Sequence, residues 1–415
     1  MSGRRRDGRS QCGLTMNSSA IGPAGTHLSL RRSLTLLTLL FYGLAVIVGA
    51  GIYVAIASVI DRAGDATPLS FLLAGIVAGL TGLCYAELAS RFPEASGAAA
   101  YVMHGFGSNR LAQLTALALT VAIAIAAASI ASGSVSYLSK LIGLSPTALT
   151  TLLVVGFTML AMLGVRESAS LSAAIGVLEI LGIAVATWVG FLTAPDLNVE
   201  GMLPSSVAGW QGVVGGSFIA FFAFIGFESL VNMAEEAKEP RRTIPYAIVG
   251  AIVVSTLLYI AVSAALVLAD RGGESPLIGL FQGSHASLFA AVGSLAIANG
   301  VLVEIMMLAR LFYGMARRRQ LPAFLEQVNP RTRTPIVATA LAGAIVLAAS
   351  VLIPFKQLVG FANTLTLGIF VLVDLALWRI QNTRPTGERA FAVARWVPPV
   401  AAASAVALIF ANLFA

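Results

Sequence analysis

Five acidic residues lie inside or at the edges of long apolar segments, and their side chains are the best placed to do chemistry. They are Glu87, Glu179, Glu228, Glu304 and Asp374. A carboxylate among apolar side chains is costly unless it is paired, protonated or hydrated, so each is a candidate for binding a cation or carrying a proton. Glu87 and Asp374 lie near segment ends. We expect snorkelling toward the membrane surface, with Arg91 for the first and Arg379 for the second, to satisfy them, so both acids are interpreted as structural.

Glycines interrupt two of the apolar segments near their centres. Gly49 and Gly51 lie in residues 41–53, and Gly226 lies in residues 220–229. A helix that breaks there exposes backbone amides and carbonyls, and glycine lets a ligand approach them without a Cβ in the way. Alternatively, these glycines only allow close packing between helices. The spacing alone leaves both interpretations open.

The composition indicates a membrane protein. Of the 415 residues, 58% are hydrophobic and only 11% are charged, and the mean hydropathy is +0.88. Soluble domains carry about 25% charged residues, so a soluble enzyme is excluded. Cys12 and Cys84 cannot build a disulfide framework. The three histidines, His27, His104 and His285, are far apart in the sequence, so we expect no metal site and no cofactor.

Long apolar segments predict eleven membrane spans, because about 20 apolar residues are needed to cross about 30 Å of hydrocarbon. The spans are residues 34–60, 68–90, 112–138, 147–165, 170–193, 212–234, 245–268, 288–316, 335–353, 357–378 and 395–414. Residues 1–33 form a tail in front of them. We therefore expect an all-α polytopic protein embedded in a lipid bilayer.

The positive charges are distributed unequally between the two sides of this helical bundle. Only four of the 26 lysines and arginines fall on one side: Arg62, Lys140, Arg271 and Lys356. The others lie on the side of the N-terminus, which the positive-inside rule assigns to the cytoplasm. Membrane topology thus accounts for the net charge of +7, and we expect no binding to nucleic acid.

Spans 1–5 (residues 34–193) and spans 6–10 (residues 212–378) form two halves, and residues 395–414 form an additional span. Halves with an odd number of spans must be inverted relative to each other. A glycine-interrupted helix opens each half, which is a pointer to an inverted-repeat transporter with its site at the midplane. The packing role of the glycines stays open as the alternative.

Short motifs occur along nearly the whole apolar region. They are VGAGIY at 48–53, YAELASRFP at 85–93, GVRESA at 164–169, GFES at 226–229, EEAKEPRRTIP at 235–245, YGMAR at 313–317 and LP at 321–322. Through these motifs the chain resembles the amino acid–polyamine–organocation (APC) transporter superfamily, nearest its cationic amino acid transporter branch and the bacterial relatives of that branch. The resemblance implies a LeuT-like 5+5 inverted repeat with broken helices 1 and 6. The family usually has twelve or more spans, whereas eleven are predicted here. The resemblance places the transport core in the first ten spans, so the mechanism should be kept. Dimer contacts through the last helices do not transfer, and the resemblance therefore indicates no oligomeric state.

The resemblance also assigns a substrate site to the two helix breaks. The implied residues are Ile47, Gly49, Ala50, Gly51 and Ile52 in span 1, and Phe222, Ala223 and Ile225 in span 6. At the first break, backbone amides begin a half-helix whose positive end can bind a carboxylate. At the second break, freed carbonyl oxygens can accept hydrogen bonds from an α-ammonium group. Phe222 is either an aromatic gate over the substrate or a packing residue.

Glu179 and Glu228 are the candidates for coupling and gating. Glu228 matches an acid that is common in the family, although freed backbone amides offer it a structural role instead. Proton-coupled relatives often have a lysine where this chain has Glu179, so the lysine mechanism does not transfer. Between Ser294 and Thr332 the chain has no serine or threonine to coordinate sodium in span 8. We therefore expect protons as the coupling ion, with Glu179 or Glu228 as the titrating group.

Glu304 lies in the middle of span 8, which in the resembling fold lines the pocket for the substrate side chain. There it can pair with the cationic group of a lysine, an arginine or a polyamine. Alternatively, it hydrogen-bonds within the bundle as a protonated acid, since many relatives have glutamine at this point. The sequence leaves both interpretations open.

The resemblance as a whole implies a secondary transporter that moves amino acids across the cytoplasmic membrane by alternating access, and not an enzyme. Spans 1, 2, 6 and 7 are expected to rock against the other spans. We expect proton-coupled symport, with amino acid or polyamine exchange as the alternative. A non-transporting amino acid sensor is a weaker alternative, because no long loop offers a signalling domain.

Overall fold

The computed structural model describes residues 34–93, 97–163, 169–195, 199–234, 236–273, 275–317, 319–332, 334–383 and 391–414. Three features noted in the sequence lie outside these residues. They are the tail 1–33, residues 164–168 of the GVRESA motif, and Glu235 of the EEAKEPRRTIP motif. Within the described residues all named elements are helical, and there is no β-strand.

The helices are numbered in chain order. They are α1 Leu36–Val48, α2 Ala50–Ala63, α3 Thr67–Arg91, α4 Gly97–Phe106, α5 Asn109–Gly133, α6 Val135–Leu138, α7 Pro146–Met162, α8 Ala169–Thr193, α9 Val207–Ala220, α10 Pro240–Leu268, α11 Pro276–Gly279, α12 Gly283–Arg317, α13 Ile336–Leu352, α14 Phe355–Thr383 and α15 Val397–Phe414. Short 3-10 helices lie between them at Gly64–Ala66, Glu200–Met202, Phe221–Phe224, Phe227–Met233 and Ala323–Glu326.

The segments predicted to span the membrane coincide with these helices. Span 1 contains α1 and α2, and span 6 contains α9 with the two 3-10 helices that follow it. Of the described residues, seven helical stretches are long and apolar enough to cross a membrane, and α1, α7, α13 and α15 are shorter apolar helices. The prediction of an almost entirely helical membrane protein is confirmed, and the number of spans stays a prediction.

Serine side chains begin several of the helices. The hydroxyl oxygens of Ser108, Ser145 and Ser206 accept hydrogen bonds from backbone amides in the first turns of α5, α7 and α9. Each bond satisfies one of the amides that a helix start leaves without a partner. In α7 the cap is followed directly by Pro146, a residue that suits the first helical position.

The two interruptions predicted at glycines are present in the structure. Gly49 separates α1 from α2 with a backbone conformation of φ −46° and ψ −146°, which is not helical. In span 6, the 3-10 helix Phe221–Phe224 ends at extended Ile225, and Gly226 follows with φ +123°. A positive φ of this size favours glycine, because a side chain would clash with the backbone. The chain therefore places glycine where each helix has to break.

Tyr85 of α3 is the centre of a buried aromatic cluster that joins four elements. Its ring makes edge-to-face contacts with Tyr101 of α4, Phe227 after the second break and Phe370 of α14, at centroid distances of 5.9, 5.7 and 5.5 Å. Each such pair is worth about 0.5–1.5 kcal/mol beyond the burial of its area. The cluster therefore holds the second half of span 6 against α3 and α14.

The residue in front of α1 is bonded to the segment in front of α10. The Leu34 amide donates to the Glu236 carbonyl at 3.0 Å, and the Lys238 amide donates to the Leu34 carbonyl at 3.1 Å. Leu34 and Ala237 thus form an isolated parallel bridge. The start of the first interrupted helix is held against the segment that follows the second one.

Candidate functional site

The two helix breaks touch each other. A Cβ built on Gly51 would lie 2.9 Å from the Ala223 Cα and 3.3 Å from the Phe222 carbonyl oxygen. A Cβ built on Gly226 would lie 2.7 Å from a side-chain carbon of Val46. Glycine is therefore needed at both positions for the backbones to approach this closely. The two interpretations of the glycines hold together here, since these residues lie at helix breaks and also permit close packing.

Tyr259 of α10 joins the two breaks. Its hydroxyl lies 2.7 Å from the Ile47 carbonyl oxygen and 2.9 Å from the Ala223 carbonyl oxygen, so its single hydrogen is shared between the two acceptors, and the residue is fully buried. The interruption at Gly49 leaves carbonyls at the end of α1 without an intrahelical partner, and the phenol supplies one for Ile47. One side chain thus fixes the spacing between the break in span 1 and the break in span 6.

The first break presents the start of α2. The first backbone amides of a helix have no intrahelical carbonyl to bond, and Gly49 has no side chain to cap those of α2. Ala50 and Ile52 are buried, and Gly51 faces the second break. This arrangement can bind an anion such as a carboxylate. The binding roles of Ile47, Gly49, Ala50, Gly51 and Ile52 stay predictions.

The second break presents carbonyl oxygens, and two of the three expected acceptors already have partners. The Ala223 carbonyl accepts from Tyr259, and the Phe222 carbonyl accepts from the Ile225 amide at 3.4 Å. A carbonyl oxygen has two lone pairs, so each can accept one more hydrogen bond. The Phe222 side chain is 3% exposed, and both its gating role and its packing role stay predictions.

Glu228 is bonded to the break that precedes it. The Gly226 amide donates to Glu228 Oε2 at 2.9 Å, and the Ser229 hydroxyl donates to the Gly226 carbonyl at 2.7 Å. The backbone N–H and the backbone C=O of Gly226 are therefore both hydrogen-bonded to side chains next to the break. This is the contact that the structural alternative for Glu228 predicts, and its coupling role stays a prediction.

Glu179 of α8 is a buried carboxyl group that faces the first break. It is 1% exposed, and neither of its carboxyl oxygens has a hydrogen-bond partner among the described residues. A Cβ built on Gly49 would lie 3.6 Å from Glu179 Oε2. The Tyr53 hydroxyl donates to the Glu179 backbone carbonyl at 3.0 Å, which fixes α8 to α2. A buried carboxylate without a partner is costly, so this position calls for a proton or a cation.

Glu304 lies on the face of α12 that contacts the start of α2. Gly300, one turn earlier on the same face, would bring a Cβ within 3.0 Å of the Ala50 Cβ. One carboxyl oxygen of Glu304 is buried and has no hydrogen-bond partner in the part of the chain that the structure describes. The pairing of Glu304 with a cationic substrate stays a prediction.

Glu87 has the structural environment that the sequence predicted. The Arg91 guanidinium donates to Glu87 Oε1 through Nε at 2.8 Å and through Nη2 at 2.5 Å. Glu87 Oε2 accepts from the Gln381 side chain and from the Val393 amide, both at 2.8 Å. The buried carboxylate is therefore fully bonded and ties α3 to α14 and to the segment in front of α15.

For Asp374 the expected partner was wrong. Asp374 is fully buried in α14 and accepts a hydrogen bond from the Thr81 hydroxyl of α3 at 3.0 Å. Arg379 lies over the ring of Phe106 instead, 5.7 Å from its centroid. The reason is helical geometry, because residues five apart lie on different faces, whereas Glu87 and Arg91 are four apart and share a face.

Tyr259 was not among the residues that the sequence singled out, and Tyr53 was noted only as the last residue of the VGAGIY motif, with no role for its side chain. Both hydroxyls lie next to the breaks and bond backbone carbonyls from other helices. A signal was present, since a buried tyrosine hydroxyl in an apolar segment needs a hydrogen-bond partner. The partners themselves follow only from the tertiary packing.

Comparison with known proteins gives one family. The amino acid permease family matches residues 34–415. The chain is 31% identical to the cationic amino acid transporter 3, mitochondrial, of Arabidopsis thaliana, over 89% of this chain and 66% of that protein. It is 28% identical to the cationic amino acid transporter 4, vacuolar, of the same plant, over 88% of this chain and 65% of that protein.

A bacterial relative is matched over more of its length. The chain is 28% identical to the branched-chain amino acid permease BcaP of Bacillus subtilis, over 88% of this chain and 84% of that protein. The chain thus spans about two thirds of the length of the two plant relatives and more of the bacterial one. The names of these three relatives describe transporters or permeases, with both cationic and branched-chain amino acids among their substrates.

Proposed function

The chain belongs to the amino acid permease family, and from this premise we propose that it moves amino acids across a membrane by alternating access, with protons as the coupling ion. The observation that carries the proposal is the buried carboxyl group of Glu179, which lies beside the interruption at Gly49 and has no hydrogen-bond partner among the described residues. It places a group that calls for a proton or a cation next to the backbone groups that would hold the substrate. Proton binding at Glu179 and substrate binding at the helix breaks can thereby be coupled.

The pattern of helix contacts supports a LeuT-like 5+5 inverted repeat. If spans 1–5 correspond to spans 6–10, each contact between two helices should recur between the two equivalent helices of the other half. Span 5 (α8) packs against spans 1, 7 and 8, and span 10 (α14) packs against spans 6, 2 and 3. Spans 2 and 7, spans 3 and 8, and spans 4 and 9 pack against each other. We therefore assign residues 34–193 and 212–378 to the two repeats, residues 395–414 to an additional span, and residues 1–33 to a tail.

The substrate is proposed to lie between the two breaks. Its carboxylate would bond the amides at the start of α2, where the helix dipole is positive. Its ammonium group would bond carbonyl oxygens of Phe222, Ala223 and Ile225, which belong to the second break. Tyr259 would hold these two sets of groups at a fixed spacing, because it is bonded to both breaks. Glu304 would lie near the substrate side chain.

Glu179 is proposed as the proton carrier in preference to Glu228. Glu228 accepts a hydrogen bond from the Gly226 amide, which stabilises a carboxylate and leaves less reason to bind a proton. Glu179 has no such partner within the described chain. When the break at Gly49 moves, the surroundings of the Glu179 carboxyl change directly, whereas Glu228 moves with its own break. We assign gating to Glu228 and coupling to Glu179.

The protein is proposed to reside in the cytoplasmic membrane with its N-terminus in the cytoplasm. The unequal distribution of lysine and arginine supports this orientation. The orientation can be tested in a variant without the native cysteines, into which a single cysteine is introduced at Lys356 or at Arg331. In intact cells, a membrane-impermeant maleimide should label the cysteine at position 356 and should not label the one at position 331. The opposite pattern would invert the topology.

The test of function is uptake into proteoliposomes that contain the purified protein. Radiolabelled alanine and arginine are supplied with an inward proton gradient, an inward sodium gradient or no gradient. We expect uptake that a proton gradient stimulates and a sodium gradient does not. The variant Glu179→Gln should lose this stimulation and still exchange external for internal amino acid, because it cannot take up or release a proton. Glu326→Gln, at an exposed acid that ends the 3-10 helix before α13, is the matched control.

Other outcomes of this experiment contradict parts of the proposal. Uptake only into vesicles preloaded with amino acid, with no effect of either gradient, would identify an exchanger and remove the coupling role of Glu179. Stimulation by sodium would replace the proton as the coupling ion. Uptake no faster than in protein-free vesicles, for every amino acid tried, would contradict transport itself.

A further inference from the structure

A cavity of about 340 Å³ lies at the ends of α2 and α9 and the start of α14. Among the residues that line it are Ser58, Asp61, Arg62, Phe218, Phe355 and Lys356. The volume is within the range of small-molecule sites, which starts at about 300 Å³. The cavity lies at the C-terminal end of α2, so it is distinct from the amides that begin α2 at Ala50.

Charged side chains form one part of the wall of this cavity. Asp61 contributes a carboxylate and Lys356 an ammonium group, and neither side chain has a hydrogen-bond or ion-pair partner among the described residues. Arg62 also lines the cavity and has an interaction of its own. Asp61 and Lys356 together offer complementary groups to a molecule with a carboxylate and a single ammonium group.

The floor of the cavity is apolar and includes Phe218 of α9. Phe218 lies four residues before Phe222 in the chain, so it belongs to the span that carries the second break. The Asn363 side chain of α14 donates to the Phe218 carbonyl at 2.6 Å, which fixes this floor to the helix that carries Lys356. The cavity is therefore lined by spans 1 and 6, which carry the two breaks, and by the span that carries Lys356.

We propose that this cavity is an access site that first binds the substrate as a zwitterion and selects against substrates with an additional positive charge. The proposal rests on the transport function proposed above and names its substrate class, an amino acid with an uncharged side chain. Lys356 attracts the substrate carboxylate and Asp61 its ammonium group. Once the α-ammonium group is bound by Asp61, a second cationic group on the substrate is left facing Lys356, whose positive charge repels it and lowers the local concentration of such substrates.

The test compares two lysines that the charge pattern assigns to the same side of the membrane. Lys356 lines the cavity, and Lys140, which follows α6, is exposed and is not among its lining residues. In proteoliposomes, Lys356→Gln should raise the KM for alanine about fivefold, as expected for the loss of one exposed charge attraction, with little change in kcat. Lys140→Gln should match the wild type in both parameters.

Charge reversal gives a second measurement that a purely structural role would not reproduce. Lys356→Glu should increase arginine uptake relative to alanine uptake, because it adds an attraction for the second positive charge. The wild-type preference for alanine should weaken at high ionic strength, since salt screens charges in an open cavity. Thermal unfolding of each variant in detergent checks that the fold is unchanged.

The inference is overturned if Lys356→Gln and Lys140→Gln have the same KM for alanine, or if Lys356→Glu leaves the ratio of arginine to alanine uptake unchanged. A wild-type preference for arginine over alanine would also overturn it. These outcomes all require measurable transport by the wild type. They are therefore distinct from the absence of transport, which contradicts the proposed function instead.

Discussion

The Tyr259 hydroxyl lies 2.7 Å from the Ile47 carbonyl oxygen, so α10 is bonded to the last turn of α1, immediately before the chain breaks at Gly49. The same hydroxyl bonds the Ala223 carbonyl of the second break. Movement of α1 relative to span 6 must therefore stretch or exchange one of these bonds. A single phenol couples the geometry of the two interrupted helices.

Replacing Tyr259 by phenylalanine should therefore impair transport more than it impairs folding. The ring would keep its contacts with Phe71 and Phe224, but two buried carbonyls would lose a partner, at a cost of about 1–3 kcal/mol. We expect alanine uptake in proteoliposomes to fall about tenfold, the effect of about 1.4 kcal/mol at the transition state. Tyr246→Phe, an exposed position on the same helix, should transport normally. Wild-type rates for Tyr259→Phe would show that the bridge is dispensable.

The glycines at 49 and 226 indicated either helix breaks or close packing, and the family resemblance favoured the breaks, whereas nothing in the sequence could predict this bridge. Tyr259 and Ile47 are 212 residues apart, and only tertiary packing brings them together. Pairing of acids was predictable where helical spacing determines it, as for Glu87 and Arg91. For Asp374 the bonded hydroxyl, Thr81, comes from another helix, so no local spacing indicates it.

Substitution of Gly51 by alanine is expected to stop transport without preventing membrane insertion. The new methyl group would lie 2.9 Å from the Ala223 Cα, and because the neighbour is backbone the two breaks have to separate. Such overpacking costs about 1–3 kcal/mol. Gly156→Ala in α7 is the control, since a Cβ there meets no described heavy atom within 4 Å. Uptake and size-exclusion profiles of both variants provide the measurement, and normal uptake by Gly51→Ala would argue against a substrate site between the breaks.

Leucine substitution at two buried glutamates should change the free energy of unfolding in opposite directions. Glu87→Leu removes the partner of Arg91 and Gln381, and breaking a buried ion pair costs about 3–5 kcal/mol. Glu179→Leu removes a carboxyl group that has no partner in the described chain, which relieves an unfavourable burial of about 1–3 kcal/mol.

We therefore expect the melting temperature in detergent to fall for Glu87→Leu and to rise for Glu179→Leu, while the second variant loses proton-stimulated uptake. Stability would then be gained at the expense of function, as is common where a buried polar group serves the mechanism. A fall of similar size in both variants would mean that Glu179 is paired in the folded protein, and it would remove the reason to regard it as a proton carrier.

The bridge between Leu34 and Ala237 predicts a site at which transport can be arrested by a disulfide. Paired extended segments lie about 4.8 Å apart, and a disulfide accepts Cα separations of about 4.4–6.8 Å. Cysteines at both positions, in a variant with Cys12→Ser and Cys84→Ala, should therefore cross-link under mild oxidation. If α1 has to leave the segment in front of α10 to open this side of the protein, oxidation will stop net uptake and a reducing agent will restore it. Each single cysteine variant should be insensitive to the oxidant. Full transport by a quantitatively cross-linked protein would mean that α1 and this segment move together, and that the opening occurs between other helices.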